Sequence, residues 1–120
     1  MNEDVVQASM QIILFAGNAR LKCQEALNCV SSFDIETAKT KLKEAQQEIV
    51  KAHTIQTDNI QDEVRGEKKE YCLLFAHAQD TLMTINSEIN IAKQLIRIFD
   101  SYEERLEKIE KMVSQEHPVR

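Results

Sequence analysis

Four polar side chains fall on one side of a stretch otherwise rich in apolar residues. His77, Asp80, Thr81 and Thr84 stand three and four residues apart, so a helix carries them on one face. Leu73, Leu74, Phe75, Leu82 and Met83 surround them. A neutral imidazole accepts a phosphoryl group on a ring nitrogen, and an exposed histidine on a rigid helix beside an apolar rim suits transfer of phosphate between partners. A histidine near an apolar face is also a common structural residue, and spacing alone does not choose between the two. Asp80 raises a different question, because a carboxylate on an apolar face is costly unless partnered. No helix of the chain offers a cation at a matching seam position. In one arrangement three copies pack this helix about a common axis, so that three Asp80 carboxylates converge and a cation or shared protons relieve their repulsion. In the other, Asp80 faces solvent or an amide of a neighbouring helix. His53, with Gln56 and Thr57, is a second polar interruption, suited to hydrogen bonding within a bundle or to a site.

Other chemistries lack their residues. There is no Glu-x-x-His pair for a carboxylate di-metal bundle and no His-x-x-x-His for zinc. Gly17 and Gly66 are the only glycines, too few for a phosphate-binding loop. Cys23, Cys29 and Cys72 show no Cys-x-x-Cys spacing, which suits reduced thiols in a cytoplasm and small core side chains. The formal net charge is −5, and no basic run exceeds Lys68-Lys69, which speaks against nucleic acid as a partner. The longest uncharged stretch, Val5 to Ala19, is too short and too polar to span a bilayer, and the start Met1-Asn2-Glu3-Asp4 is acidic where a secretory signal is basic. The expected location is therefore cytoplasmic.

The elements that position these side chains follow from composition and periodicity. Two glycines and one proline in 120 residues leave too few turns for a sheet fold, while 42% apolar residues exclude disorder. An all-α fold remains. Turn signals at Ser31-Ser32-Phe33-Asp34, with Asp34 as an N-cap, and at Gly66 divide the chain into helices over about 4–30, 35–65 and from 70 onward. Matched lengths and short connections predict an up-down-up antiparallel three-helix bundle. The second helix has a seam of Ile35, Ala38, Leu42, Ala45, Ile49 and Ala52; the first follows Val6, Met10, Ile13, Ala16, Ala19, Cys23, Ala26 and Val30. Gly17, mid-helix, suggests close helix approach. The third helix has a stripe of Leu95, Phe99, Tyr102, Leu106, Ile109 and Val113, traced backward through Ala92, Glu88, Ile85 and Thr81. That stripe keeps phase past Asp100-Ser101, which predicts continuation rather than a break there, with fraying from His117.

The run His77-Ala78-Gln79-Asp80-Thr81-Leu82-Met83-Thr84 resembles the His-x-Gln-Asp-His-Leu-Met-Thr signature of the enzyme IIA component of the lactose/cellobiose/chitobiose branch of the bacterial sugar phosphotransferase system. Ala16-Gly17-Asn18-Ala19-Arg20 and Ala52-His53 with Gln56-Thr57 resemble segments of that family's first and second helices. The matches fall in order, one per helix, over about residues 4–100. The resemblance implies a homotrimer of three-helix protomers forming a nine-helix bundle. It implies that His77 is phosphorylated by HPr and passes the group to a cognate enzyme IIB for uptake of a β-linked disaccharide, the membrane being involved only through the sugar permease. It implies a divalent metal held by Asp80 on the threefold axis, one per trimer, with magnesium as the expected ion. Gln79 and Thr81 become hydrogen-bond partners near the phosphate. Where the family usually has a second histidine this chain has Thr81, which cannot carry positive charge. Residues 1–100 are thus expected to form the IIA-like domain and 101–120 a helical extension. The competing reading is a non-catalytic helical adaptor or regulatory paralogue that binds partners through the long third helix.

Overall fold

A computed structural model describes residues 3–66 and 71–116. Its elements in chain order are α1 (Glu3–Ser31), α2 (Ile35–Val64) and α3 (Leu73–Glu116). The reversal between α1 and α2 is made by three residues. Phe33 takes a left-handed backbone, φ 62°, and donates its N–H to Val30 O at 2.9 Å, while Asp34 N–H reaches back to Cys29 O at 2.9 Å. These two bonds are the Schellman closure of a helix, a place that glycine usually fills. Asp34 then caps the next helix: its carboxylate accepts from Thr37 N–H at 3.2 Å, which holds the Asp34 carboxyl below its ordinary range. At the far end, Gly66 adopts φ 91° and donates to Glu63 O, closing α2.

Ion pairs read out the antiparallel register. Lys22 meets Glu44 at 3.3 Å and Lys41 meets Glu25 at 3.3 Å, so advancing along α1 means retreating along α2. Lys39 and Asp100, 3.0 Å apart, fasten α2 to α3. The chain is an up-down-up three-helix bundle, with α1 packed against both other helices.

Small residues make the core. Ala16, Ala19, Ala26, Ala38, Ala45, Ala52, Ala78 and Ala92 are all wholly buried, which lets the backbones approach closely but buries little area at each position. The α2 seam is the predicted one, residue for residue. In α1 the buried line starts at Val5, Ser9 and Ile12 rather than at Val6, Met10 and Ile13, and it joins the predicted line at Ala16. Ser9 is tolerated there because its hydroxyl donates to Val5 O at 2.7 Å, so no polar group is left unsatisfied. Met10 is accordingly exposed. Gly17 is exposed as well, and a Cβ there would meet nothing within 4 Å; within one chain it does not serve close approach.

α3 is continuous through Asp100-Ser101, as its phase predicts. Its 44 residues run about 66 Å at 1.5 Å per residue, beyond the ends of its neighbours. The frayed end expected from His117 lies outside the described residues. Among the described residues no helix is long and apolar enough to cross a membrane.

A left-handed backbone costs an L-residue about 1–2 kcal/mol, partly offset for glycine by its greater freedom when unfolded. Phe33 is exposed and has little packing to lose. Phe33→Gly should therefore raise stability by about 0.5–1 kcal/mol, read as a higher midpoint in urea; an unchanged or lower midpoint would show that packing of the phenyl ring outweighs the backbone cost.

Candidate functional site

The sequence sets two lines of side chains on α3. Ala78, Leu82, Ile85, Ile89, Ala92 and Ile96 are buried against α1 and α2. His77, Asp80, Thr84 and Ile91 lie on the other line and are exposed. The backward trace through Ala92, Glu88, Ile85 and Thr81 therefore crosses between lines: Ala92 and Ile85 belong to the core, whereas Glu88 and Thr81 are half-buried at its margin. A polar residue every few positions interrupts the apolar pattern because it marks a second face.

His77 is the fifth residue of α3. It therefore stands one full turn in from the start of the helix. Thr81 lies one turn further on, and its Oγ1 donates to His77 O at 2.9 Å. With its proton engaged there, the hydroxyl keeps its acceptor lone pairs free. Gln79 is not beside them. Two residues from His77, it points across the helix and lines a cavity of about 150 Å³ with Val5, Asn59 and Phe75. Of the apolar rim, Leu73 and Met83 are exposed, while Phe75 packs against the core. His53 is half-buried on α2.

Asp80 is exposed, and among the described residues no ion pair reaches it. Nor do the described residues of one chain bring together three His, Cys, Asp or Glu side chains able to hold a metal. One exposed carboxylate by itself is a weak hold for a hydrated divalent cation, whereas three carboxylates meeting on an axis would supply a hard oxygen set.

One site residue escapes the spacing argument. Arg20 Nε and Nη2 donate to Glu88 Oε2 and Oε1, each at 3.0 Å, in a forked pair that ties α1 to α3. The signals for it were separate: Arg20 closes the Ala16–Arg20 segment, and Glu88 interrupts the α3 stripe. Beside this pair, Cys23, Leu27, Ile91 and Leu95 line an apolar groove. Burial, and then the charge of Glu88, push the Cys23 thiol up, as suits a core side chain rather than a nucleophile. Met10, Leu14 and Leu21 expose a further apolar line on α1, and Gly17 lies in it.

The family profile described as "PTS system, Lactose/Cellobiose specific IIA subunit" matches residues 7–100. The chain is 42% identical over 105 residues to the lichenan-specific phosphotransferase enzyme IIA component of Bacillus subtilis, covering 88% of this chain and 96% of that protein. It is similar to the crystal structure of the cellobiose-specific enzyme IIA of Bacillus anthracis, with TM-score 0.78, 36% identity, and coverage of 83% and 92% of the two chains. It is also similar to the IIA(chitobiose) chain in the solution structures of its complex with HPr from the N,N'-diacetylchitobiose branch of the Escherichia coli phosphotransferase system. There the TM-score is 0.72, with 25% identity over 82% of this chain and 96% of that one.

The Arg20–Glu88 pair is forked but about 40% exposed on both sides, so water and salt screen it. Arg20→Met should cost about 0.5–1 kcal/mol at low salt and less in 1 M salt. Denaturation at the two ionic strengths checks this, and a loss insensitive to salt would assign the effect to packing of the arginine stem instead.

Proposed function

The chain belongs to the lactose/cellobiose-specific IIA family of the sugar phosphotransferase system, and on that premise we propose that it is a phosphoryl carrier in which His77 takes phosphate from HPr and hands it to an enzyme IIB. The observation that carries this reading is the exposure of His77 on a rigid helix, outside its own chain's core. A neutral ring nitrogen of His77 attacks the phosphorus of the donor's phosphohistidine. A new P–N bond forms as the donor's P–N bond breaks, and the leaving electron pair returns to the donor's ring nitrogen. The same exchange, run toward enzyme IIB, restores free His77. Such a transfer asks for alignment more than for covalent work, which a helix-borne side chain supplies. Thr81, in place of the family's usual second histidine, accepts a hydrogen bond from the ring but adds no charge. Gln79 faces the opposite side of α3 from the His77 of its own chain, so its hydrogen bond to the phosphate is one made to the His77 of a neighbouring protomer.

The working assembly is a trimer. Its support is the unmatched apolar surface of one chain: Met10, Leu14 and Leu21 on α1 and Ile91 and Ile98 on α3 are each about half exposed or more. Packing three α3 helices on their Asp80 faces covers this surface, sets Gly17 where another backbone can approach, and leaves each His77 beside a crevice between protomers. The three Asp80 carboxylates would then hold a divalent cation, for which magnesium is the natural hard-oxygen choice; it would offset most of their charge and has no part in the transfer. Enzyme IIB and HPr dock over Leu73 and Met83. Uptake of a β-linked disaccharide is the process served, in the cytoplasm, without contact between this chain and the sugar.

Incubation with phosphoenolpyruvate, the general phosphotransferase enzyme and HPr should add one phosphate, about 80 Da per chain. His77→Ala should abolish the mass shift. An undiminished shift in that variant would overturn the assignment, and a silent His77→Ala alongside lost partner binding at Glu104 or Glu107 variants would favour the adaptor reading.

Asp80→Leu should preserve the trimer or strengthen it, because apolar replacement of converging buried charge is often stabilising, while metal binding disappears. Light scattering and metal titration measure both. A monomeric variant beside a wild type that stays trimeric in chelator would show that Asp80 makes a different, essential contact.

A further inference from the structure

Beyond Ile96 the two lines of α3 diverge in character. The buried line, continued in steps of three and four, reaches Asp100, Glu103 and Glu107, and charge ends the intrachain core. The other line stays apolar. From His77, Asp80, Thr84 and Glu88 it runs through Ile91, Leu95, Ile98, Tyr102, Leu106, Ile109 and Val113 in unbroken steps of three and four. The last four are each at least half exposed, on a helix that remains regular to Glu116. The family match stops at residue 100, so this segment is not explained by the family's shared bundle.

Resting on the trimeric reading of the Asp80 face, we propose that residues 99–116 of three copies of this chain wind into a parallel three-stranded coiled coil that prolongs the trimer axis. The segment fits a heptad, with Phe99, Leu106 and Val113 at a and Tyr102 and Ile109 at d. Leucine at a with isoleucine at d, as in the Leu106/Ile109 layer, favours more than two strands. Ile98 and Met112 at g widen the stripe beyond a two-stranded seam. Charge sets the direction. In parallel strands Arg105 at g faces Glu110 at e of the next copy, an attractive pair. Antiparallel strands would set e against e, bringing Glu103 toward Glu110. The outer positions are charged, with Glu104/Lys108 and Glu107/Lys111 spaced as favourable pairs along the solvent side. Continuity with the Asp80 face selects copies of this chain as the occupant, since the same rotation that gathers the Asp80 carboxylates gathers this stripe.

Full-length Tyr102→Cys, Val113→Cys and, as an outward-facing control, Glu107→Cys are oxidised mildly and separated on denaturing gels, with native masses taken by light scattering on the same samples. The native cysteines are buried or half-buried, and wild type supplies the background. The expected result is a trimer mass, with Tyr102→Cys and Val113→Cys each linking to copies of themselves at least about tenfold faster than Glu107→Cys. A trimer in which the three variants link equally slowly overturns the coiled coil and leaves the trimer standing. Linking only between mixed Tyr102→Cys and Val113→Cys chains shows antiparallel pairing and also overturns it. A wild type that is not trimeric removes the underlying reading together with the coil.

Discussion

The structure depends on a division of labour on α3. One line of its side chains is buried by α1 and α2, and the line beside it is not buried by anything in the chain. Alanine at eight core positions makes this division sharp. Small side chains bring the helices close and fix a narrow seam, but each contributes little buried area. A bundle built this way keeps a thin core and leaves large apolar residues outside it. The exposed Met10, Leu14, Leu21, Ile91 and Ile98 are the consequence, and assembly with further copies is the natural way to cover them.

The same division places the chemistry. A histidine on the buried line would be enclosed by its own helices and unreachable by another protein. His77 lies one residue before the core residue Ala78, and that single step turns it outward. Rigidity comes from the neighbouring line, since Ala78, Leu82 and Ile85 anchor the helix that carries it. The forked Arg20–Glu88 pair adds a fixed α1–α3 register one face away. Exposure and rigidity together are what a phosphoryl carrier needs from its nucleophile.

Much of this was legible in the sequence where one physical effect dominated. The α2 seam was readable because every third or fourth residue is apolar and Asp34 announces the cap. The start of α1 was misread because Ser9 satisfies its own hydroxyl on the Val5 carbonyl, so a polar residue occupies a core position without penalty. Met10 then looked like the next apolar rung. Phe33 gave no signal of its left-handed backbone, since the turn is imposed by helix closure and capping on either side of it. In α3 the backward trace blended the two lines because Leu95 and Ala92, or Glu88 and Ile85, stand three residues apart on neighbouring lines and meet the same spacing rule. His77 and Asp80 stood out as interruptions, and the motif around His77 gave them meaning. Their relation to each other could not be read from one chain, because Asp80 finds no partner among its own described residues. Gln79 is a further case: it neighbours His77 in sequence but lies on the far side of α3 within one chain, so its relation to the phosphate also belongs to the assembly rather than to the single chain.

The central claim is that one exposed imidazole, and no other, carries the phosphoryl group. It is tested most directly by nitrogen NMR of ¹⁵N-imidazole-labelled protein before and after phosphorylation through HPr. The chain has three histidines, at 53, 77 and 117. The ring nitrogens of His77 should shift and show coupling to phosphorus, while those of the other two keep their positions. Coupling at His53 or His117, or a phosphorylated protein whose His77 signals are unchanged, would contradict it.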